Sequence, residues 1–596
     1  MQHPSNNFSV RRFFVVVTLT VSFLITLDIG VADSGISAIA PKKEVRAVWI
    51  ATTAGLDWPK TQDRVEQQSS LKKFVDDLKA AHFNTILFQV RARGDAYYRS
   101  SYEPWAENLT GTLGNDPGWD PLAFLIDEAH AARIEVHAWF NVYKVRGLSA
   151  VPPSVPPHPS RRFPAWTHDV DGEGWLDPGV PEVREYLLRV ALELVRRYDV
   201  DGINFDFIRY PGRNFPDDET YYRYGHGRDR NDWRRSNIDN FVSAFYDSAM
   251  HLKPMLKVGS APLGVFTAGS GENGGGAYNS YYQDSRRWLR EGKHDYLVPQ
   301  VYWDLGMTKD DPDFASVLRS WESASSGRQV WAGIAAYKPE VMRELAAEID
   351  SSRAIGSDGE AFFRYEHVKG MQGLDDRYQH PANIPPMPWK DSIPPLQPKE
   401  LAVTETSPSI FHLEWLAPPR ARDGDTPRYY DIYRSTSENI EATDGRMLVA
   451  ISPTNATFFV DTVPLGGGYR YYYAVSALDK GNNEGPLSDV ASVTMKELTE
   501  LRGKLSVFTT LSASLANDEV SATLVAYKLA ARSSISLLIE PETGYSTTER
   551  PVILAEGMKD AGTYVVGVPK HDLKPGSYIV KLVAGGVTLE QPIEMR

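Results

Sequence analysis

A (β/α)8 TIM barrel followed by two all-β sandwich modules is the architecture this sequence predicts: an α/β fold with a β tail. Three observations carry the expectation. Eight short apolar runs alternate with amphipathic helical stretches between residues 43 and 380. A proline-rich segment, 381–396, ends that pattern. Two-residue alternation replaces it afterwards. With 596 residues, 42% of them hydrophobic and 24% charged, the chain has globular composition and material for several cores.

Each element has a local reason. The runs Val45–Thr52, Asn84–Val90, Ile134–Val142, Gly202–Phe207, Lys257–Ala261, Tyr296–Trp303, Val330–Ala336 and Glu360–Tyr365 suit strands buried on both faces. Between them, Leu71, Phe74, Val75 and Leu78 share one helical face. Asp120 with Pro121 behind it reads as an N-cap and first helical residue, ahead of a stripe at Leu122, Leu125, Ile126 and Ala129. A third stripe is Val183, Leu187, Val190, Leu194 and Tyr198. A doubly wound open sheet is the alternative, but no glycine-rich phosphate loop opens a helix. The long loops Lys144–Asp177 and Pro262–Ser280 follow strand ends and are expected as lids or substrate walls. Prolines at Pro385, Pro386, Pro388, Pro394 and Pro395 predict a stiff linker. Short alternating strands such as Leu413–Trp415 and Tyr471–Ser476 then predict a sandwich over 397–497, and a second β module over 498–596.

Composition narrows the function. The net charge of −13, without a long basic run, argues against nucleic acid as partner. No cysteine is present, which removes disulfides, thiolate catalysis and zinc-thiolate sites. Arg11 and Arg12 precede an apolar run from Phe13 to Leu27 and small residues at Gly30–Ala32, the pattern of a signal peptide over residues 1–32. Export to the periplasm, the cell surface or the medium is therefore expected. The 14 Trp and 30 Tyr are generous, and aromatic faces suit the apolar C–H faces of sugars.

The most informative stretch runs from Asp201 to Pro211. Ile203 and Phe205 alternate with Asn204 and Asp206, so the polar pair shares one strand face. If that face is the barrel lumen, Asp206 stands at the strand's C-terminal end, where barrels keep catalytic groups, with Arg209 and Tyr210 just above. The alternative is a structural acid tied to Arg209. Other strand ends add Gln89, Arg91 and Asp95; His137, Trp139 and Asn141; and Gln300, Tyr302, Trp303 and Asp304. Together they suggest a polar, aromatic cup that binds polysaccharide. Glycoside hydrolysis ordinarily uses two carboxyl groups. Asp206 is the first candidate. Asp304 leads for the second, ahead of Asp95, Glu103 and Glu366. A metal site is not expected, since His137 and His168 lack tight ligand spacing, and no cofactor is expected either. No G-x-S-x-G elbow suggests a serine esterase.

The segments Glu44–Ala51, Phe83–Arg91, His137–Asn141, Asp201–Pro211, Asp284–Gly292 and Asp295–Trp303 together resemble the glycosyl-hydrolase-like family 10 proteins. The resemblance covers roughly residues 43 to 375. It implies an exported bacterial barrel acting on peptidoglycan glycan strands stripped of their peptides. Several members are lipoproteins, and this chain lacks the cysteine for that anchor. The strand Asp201–Ile208 also runs parallel to the D-G-x-D-x-D-x-E motif of family 18 chitinases, but Ile208 stands where the proton-donating Glu would be, and that mechanism is rejected. Residues 397–497 look like a fibronectin type III domain. The last hundred residues resemble immunoglobulin-like tails, including sorting domains. The expected product is a monomeric glycoside hydrolase, or a catalytically silent barrel that binds glycan.

Overall fold

The computed structural model describes residues 40–596, apart from 269–274, 307–311, 371, 408–409, 453–454, 464–469, 495–505, 514–521, 530–532, 542–551, 561, 569–572, 574–575, 585–586 and 596. The expected signal peptide and part of the loop Pro262–Ser280 therefore lie outside the described residues.

Eight parallel strands close into a barrel: β1 (Val45–Ile50), β2 (Thr85–Arg91), β3 (Glu135–Asn141), β4 (Gly202–Asp206), β5 (Lys257–Ser260), β6 (Tyr296–Leu297), β7 (Gln329–Ile334) and β8 (Gly359–Phe362). All eight apolar runs became strands. The sixth is much shorter than its run, because Pro299 has no N–H to continue the ladder. Alternation sorts the side chains. Val45, Ala47 and Trp49 fill the lumen, while Val48 and Ile50 pack outward beneath the helices. Low in the lumen, the Tyr296 and Trp331 rings stack with centroids 3.9 Å apart, with His137 beside them. Glycine makes room there: a Cβ on Gly202 would stand 2.6 Å from the His137 ring.

The helices begin where the sequence says. Asp120 caps Pro121–Ala132 by accepting from Ala123 N at 3.1 Å, and Asp63 caps Arg64–Ala80 in the same way. Pro181–Arg197 carries the third stripe, with Tyr198 just past its end.

Antiparallel sheets follow the barrel. Phe411, Leu413 and Trp415 of one sheet share a core with Tyr430, Ile432, Tyr473 and Val475 of the next. Further on, Leu537, Ile539, Val580 and Leu582 pack with Val525 and Tyr527. The proline-rich segment does more than space these parts. Ile384 and Met387 join the lumen cluster, and Trp389 Nε1 donates to Asp295 at 2.8 Å, just before β6. Residues 381–396 thus include a plug for the N-terminal end of the barrel. Asn383 then donates to Asp431 at 2.5 Å and Lys42 pairs with Glu484, fastening the first sandwich to that end. Among the described residues no helix is long and apolar enough to cross a membrane.

Candidate active site

At the opposite end, the C-terminal ends of the strands surround a cavity. Trp49, Ala51, Gln89, Trp139, Asn141, Asp206, Phe207, Arg209, Gln300, Tyr302 and Phe363 line it, with Thr53, Leu56, Ala92, Arg93, Lys144 and Ala261. Asp206 is the last residue of β4, paired in register with Asn141 of β3. The lumenal reading of the Asn204–Asp206 face is therefore correct. The next residue, Phe207, sits at φ +49°, a conformation a bulky L residue rarely adopts. That turn brings Phe207 N to 2.7 Å from Asp206 Oδ1. Burial raises the Asp206 pKa above the ordinary carboxylate value. The Phe207 N–H, the Arg209 charge, the facing Trp139 indole and Lys144 pull it partway back. The Trp139 Nε1–H faces the carboxylate without completing a hydrogen bond.

Arg209 forms no ion pair with Asp206. Its guanidinium lies among the Trp175, Phe207 and Tyr281 rings, 4.9–5.5 Å from their centroids. Asn141 donates to Ala92 O at 2.8 Å and leaves its buried Oδ1 without a protein donor, an acceptor open to a hydroxyl in the cavity. Gln89 accepts from Thr53 N at 2.8 Å and holds the loop after β1 against the mouth. Gln300 donates to Ala261 O, and Tyr302 packs beside Phe363 with centroids 5.9 Å apart. Trp139, Tyr302 and Phe363 supply the aromatic surface.

An adjoining crevice shares Thr53, Ala92 and Arg93 with the cavity and continues over Asp95, Glu107, Asn108, Val145, Arg146, Gly147, Ser149, Ala150, Val151, Pro152 and His158. The wall of both is the long loop after β3. It folds into a small sheet of Lys144–Arg146, Thr167–Val170 and Glu173–Leu176. Its Lys144 reaches the mouth while pairing with Glu173 at 2.6 Å.

Several expected site residues lie elsewhere. Arg91 is fully buried, locked by two hydrogen bonds to Glu103 at 2.6 and 2.7 Å and by donation to Val142 O at 3.0 Å. A register shift between Gln89 and Arg91 breaks the alternation that would have turned Arg91 into the lumen. Its partner Glu103 also bonds Tyr186 and is not available for chemistry. His137 lies low in the barrel, four residues before Asn141 on β3, about 13 Å at strand rise. It bonds the Tyr296 hydroxyl at 2.7 Å. Asn204 is fully buried below the mouth. The Tyr210 ring packs between Phe215 and Tyr282, and Trp303 covers Gly264. Asp304 does not line the cavity; its neighbours include Glu348. Glu366 sits beside Asp57, also away from the cavity lining. Of the proposed second carboxylates, Asp95 alone lies in the site region.

The sequence reading did not single out Trp49, Lys144, Phe207, Phe363 or Arg93. A signal existed for two of them: Phe207 and Phe363 each follow a strand's C-terminal end directly.

The glycosyl hydrolase-like 10 family model matches residues 44–348, about half of the chain and almost the whole barrel. The chain belongs to that family. The glycosyl hydrolase YngK of Bacillus subtilis (strain 168) is similar at 32% identity over 508 residues, covering 78% of this chain and 98% of the relative. The glycosyl hydrolase DigH of Escherichia coli (strain K12) is similar at 34% identity over 374 residues, covering 55% of this chain and 84% of the relative. In this glycosyl hydrolase-like 10 protein, the matched segment contains Asp206 and seven of the eight barrel strands.

Proposed function

We propose that this protein is an exported glycoside hydrolase that cleaves glycosidic bonds in bacterial cell-wall glycan or a related polysaccharide, working as a monomer. One observation carries the chemistry. Asp206 faces a cavity lined by aromatic rings and polar groups, and burial raises its pKa above the ordinary carboxylate value. Such a carboxyl suits the donor that protonates a departing sugar oxygen. The Phe207 N–H fixes one of its oxygens. Export is supported by the Arg11–Arg12 pair and the apolar run that follows. The wall-glycan substrate is supported by the family resemblance, and hydrolysis of glycosidic bonds by the names of the relatives as glycosyl hydrolases.

Asp95 is the second carboxyl in this proposal. It stands in the adjoining crevice, with Oδ1 accepting from Arg93 N at 2.8 Å. A glycan lying from cavity to crevice would pass between the two acids. One observation favours the binding-only alternative: among the described residues Asp206 is the only carboxylate lining the cavity itself. Asp95→Asn decides between them, because the amide oxygen still accepts the Arg93 N–H while the charge is gone. Turnover of purified peptide-free glycan strands should fall ~10²-fold or more, with melting temperature preserved. Wild-type turnover in the variant removes Asp95 from the mechanism. Binding without cleavage by the wild-type protein makes the barrel a lectin-like binder.

A further inference from the structure

A second cavity lies at the other end of the barrel, where the loops entering β2 and β3 meet the proline-rich segment and the first sandwich. Apolar side chains form most of its wall: Phe83 and Ala132 from the barrel, Ile384 from the plug, and Val449, Ile451 and Leu478 from the sandwich. The amides among them are engaged. Asn84 donates to Glu44 O and Ala382 O, Asn383 to Asp431, and Asn482 to Glu135. Among the described residues no Asp or Glu lines this cavity, in a protein of net charge −13.

Three basic side chains remain in the wall: Lys79, His82 and Arg133. Burial, Arg46 and His380 all lower the His82 pKa, so that ring is neutral and offers only hydrogen bonds. Lys79 is exposed in the last turn of the helix Arg64–Ala80, and no described carboxylate pairs with it. Arg133 is partly buried, and among the described residues it has neither an ion pair nor a side-chain hydrogen bond. The buried Asp431 acts on it only from beyond ion-pair distance, with its Oδ2 engaged by Asn383 and Tyr433. Glu135, behind Asn482, is neutralised by Lys257 at 2.6 Å. A guanidinium drawn out of water without a partner is costly, and burial presses its pKa down. An apolar cavity that ends on such a group is complementary to an anion with an apolar body.

We propose that this cavity binds a small organic carboxylate, its charged end on the Arg133 fork with Lys79 at the rim, and its acyl or aryl body against Phe83, Ile384 and Leu478. The site is independent of the glycan cavity, which opens at the opposite end of the barrel. Its occupant touches the plug on one side and the sandwich on the other, so binding stabilises the joint between them.

The backbone supplies a suitable variant. Arg133 sits at φ +64° just past the helix Pro121–Ala132, where glycine is the more comfortable residue. Arg133→Gly therefore removes the guanidinium without straining the fold. Calorimetric titration of the full chain uses four probes: octanoate, naphthoate, neutral octanol and inorganic phosphate. At least one carboxylate should bind the wild-type protein one to one, ~10-fold or more tighter than octanol or phosphate, and raise its melting temperature. Arg133→Gly should lose at least ~10-fold of that affinity together with the thermal shift. Arg133→Lys should keep part of both, and Lys79→Gln should lose less than Arg133→Gly. The favoured carboxylate assigns the body as acyl or aryl. Carboxylate binding that survives Arg133→Gly lies elsewhere and overturns the proposal. Octanol binding as well as octanoate, which makes the cavity simply apolar, does the same, as does phosphate binding as well as either carboxylate. Should Arg133→Gly melt early, Arg133→Lys and Lys79→Gln decide, since unchanged carboxylate affinity in both is equally fatal. No binding of any probe at millimolar concentration also refutes the site.

Discussion

Asp206→Asn is expected to give a folded, glycan-binding protein whose turnover has fallen by at least ~10²–10³. The substitution keeps shape, and the amide oxygen can still accept the Phe207 N–H. What disappears is the proton and the charge. If Asp206 delivers that proton to the leaving oxygen, kcat falls while affinity and melting temperature stay close to wild type. The competing structural role would need Asp206 to neutralise Arg209, but Arg209 is stabilised by three aromatic rings and no ion pair joins the two. A structural acid would move stability and binding together, so the three measurements on one preparation separate the roles. The pH profile adds a sign. A donor acts only while protonated, so activity is lost as pH rises through its pKa. Burial raises that pKa, which moves the alkaline limb above that of an ordinary carboxyl. A fully active Asp206→Asn variant would end the case for this residue.

The difference between Asp206 and Arg91 shows what the sequence could reveal. Asp206 is read from alternation along its strand, Arg91 from its place at a strand end. On β4 the ladder is regular, so Asn204 and Asp206 point where period two sends them. On β2 an irregularity sits between Gln89 and Arg91, and no local residue pattern announces it. The barrel was legible because eight buried runs and helix caps such as Asp120 are local signals. Depth in the lumen was not. His137 and Asn141 lie on the same strand face, yet only Asn141 reaches the mouth. Asp304 failed for a related reason: Pro299 ends β6 early, and the chain has left the mouth two residues after Tyr302. Arg93 and Phe363 come together only through closure of the barrel. The proline-rich segment misled in its own way, because Ile384 and Met387 between the prolines were apolar enough to plug the barrel.

Glu348→Gln is expected to stabilise the fold, and the gain should grow steeply from mildly acidic to alkaline pH. Glu348 lies on the inward face of the helix Pro339–Ile355, fully buried, and neither carboxyl oxygen has a hydrogen-bond partner. Burial pushes its pKa up to about 9, and the nearby charges of Glu344 and Asp304 push the same way. The sign follows from proton counting. Between the unfolded value near 4.5 and about 9, the folded state holds a proton that the unfolded state has released. Stability therefore falls as pH rises through that window. One pKa unit corresponds to about 1.4 kcal/mol, so raising pH from 6 to 9 removes up to ~4 kcal/mol through this side chain alone. Glu322 and Glu360, each raised to about 8, add slopes of the same sign. Glu135 is held low by Lys257 and changes nothing here, since its contribution is lost only on acidification. Glutamine stays neutral at every pH and nearly matches the volume of the acid. Melting curves of both proteins should nearly coincide at pH 5 and separate progressively up to pH 9, with the variant higher. Parallel curves across that range would mean that Glu348 finds a partner or water for its charge, and that the fold does not depend on its proton.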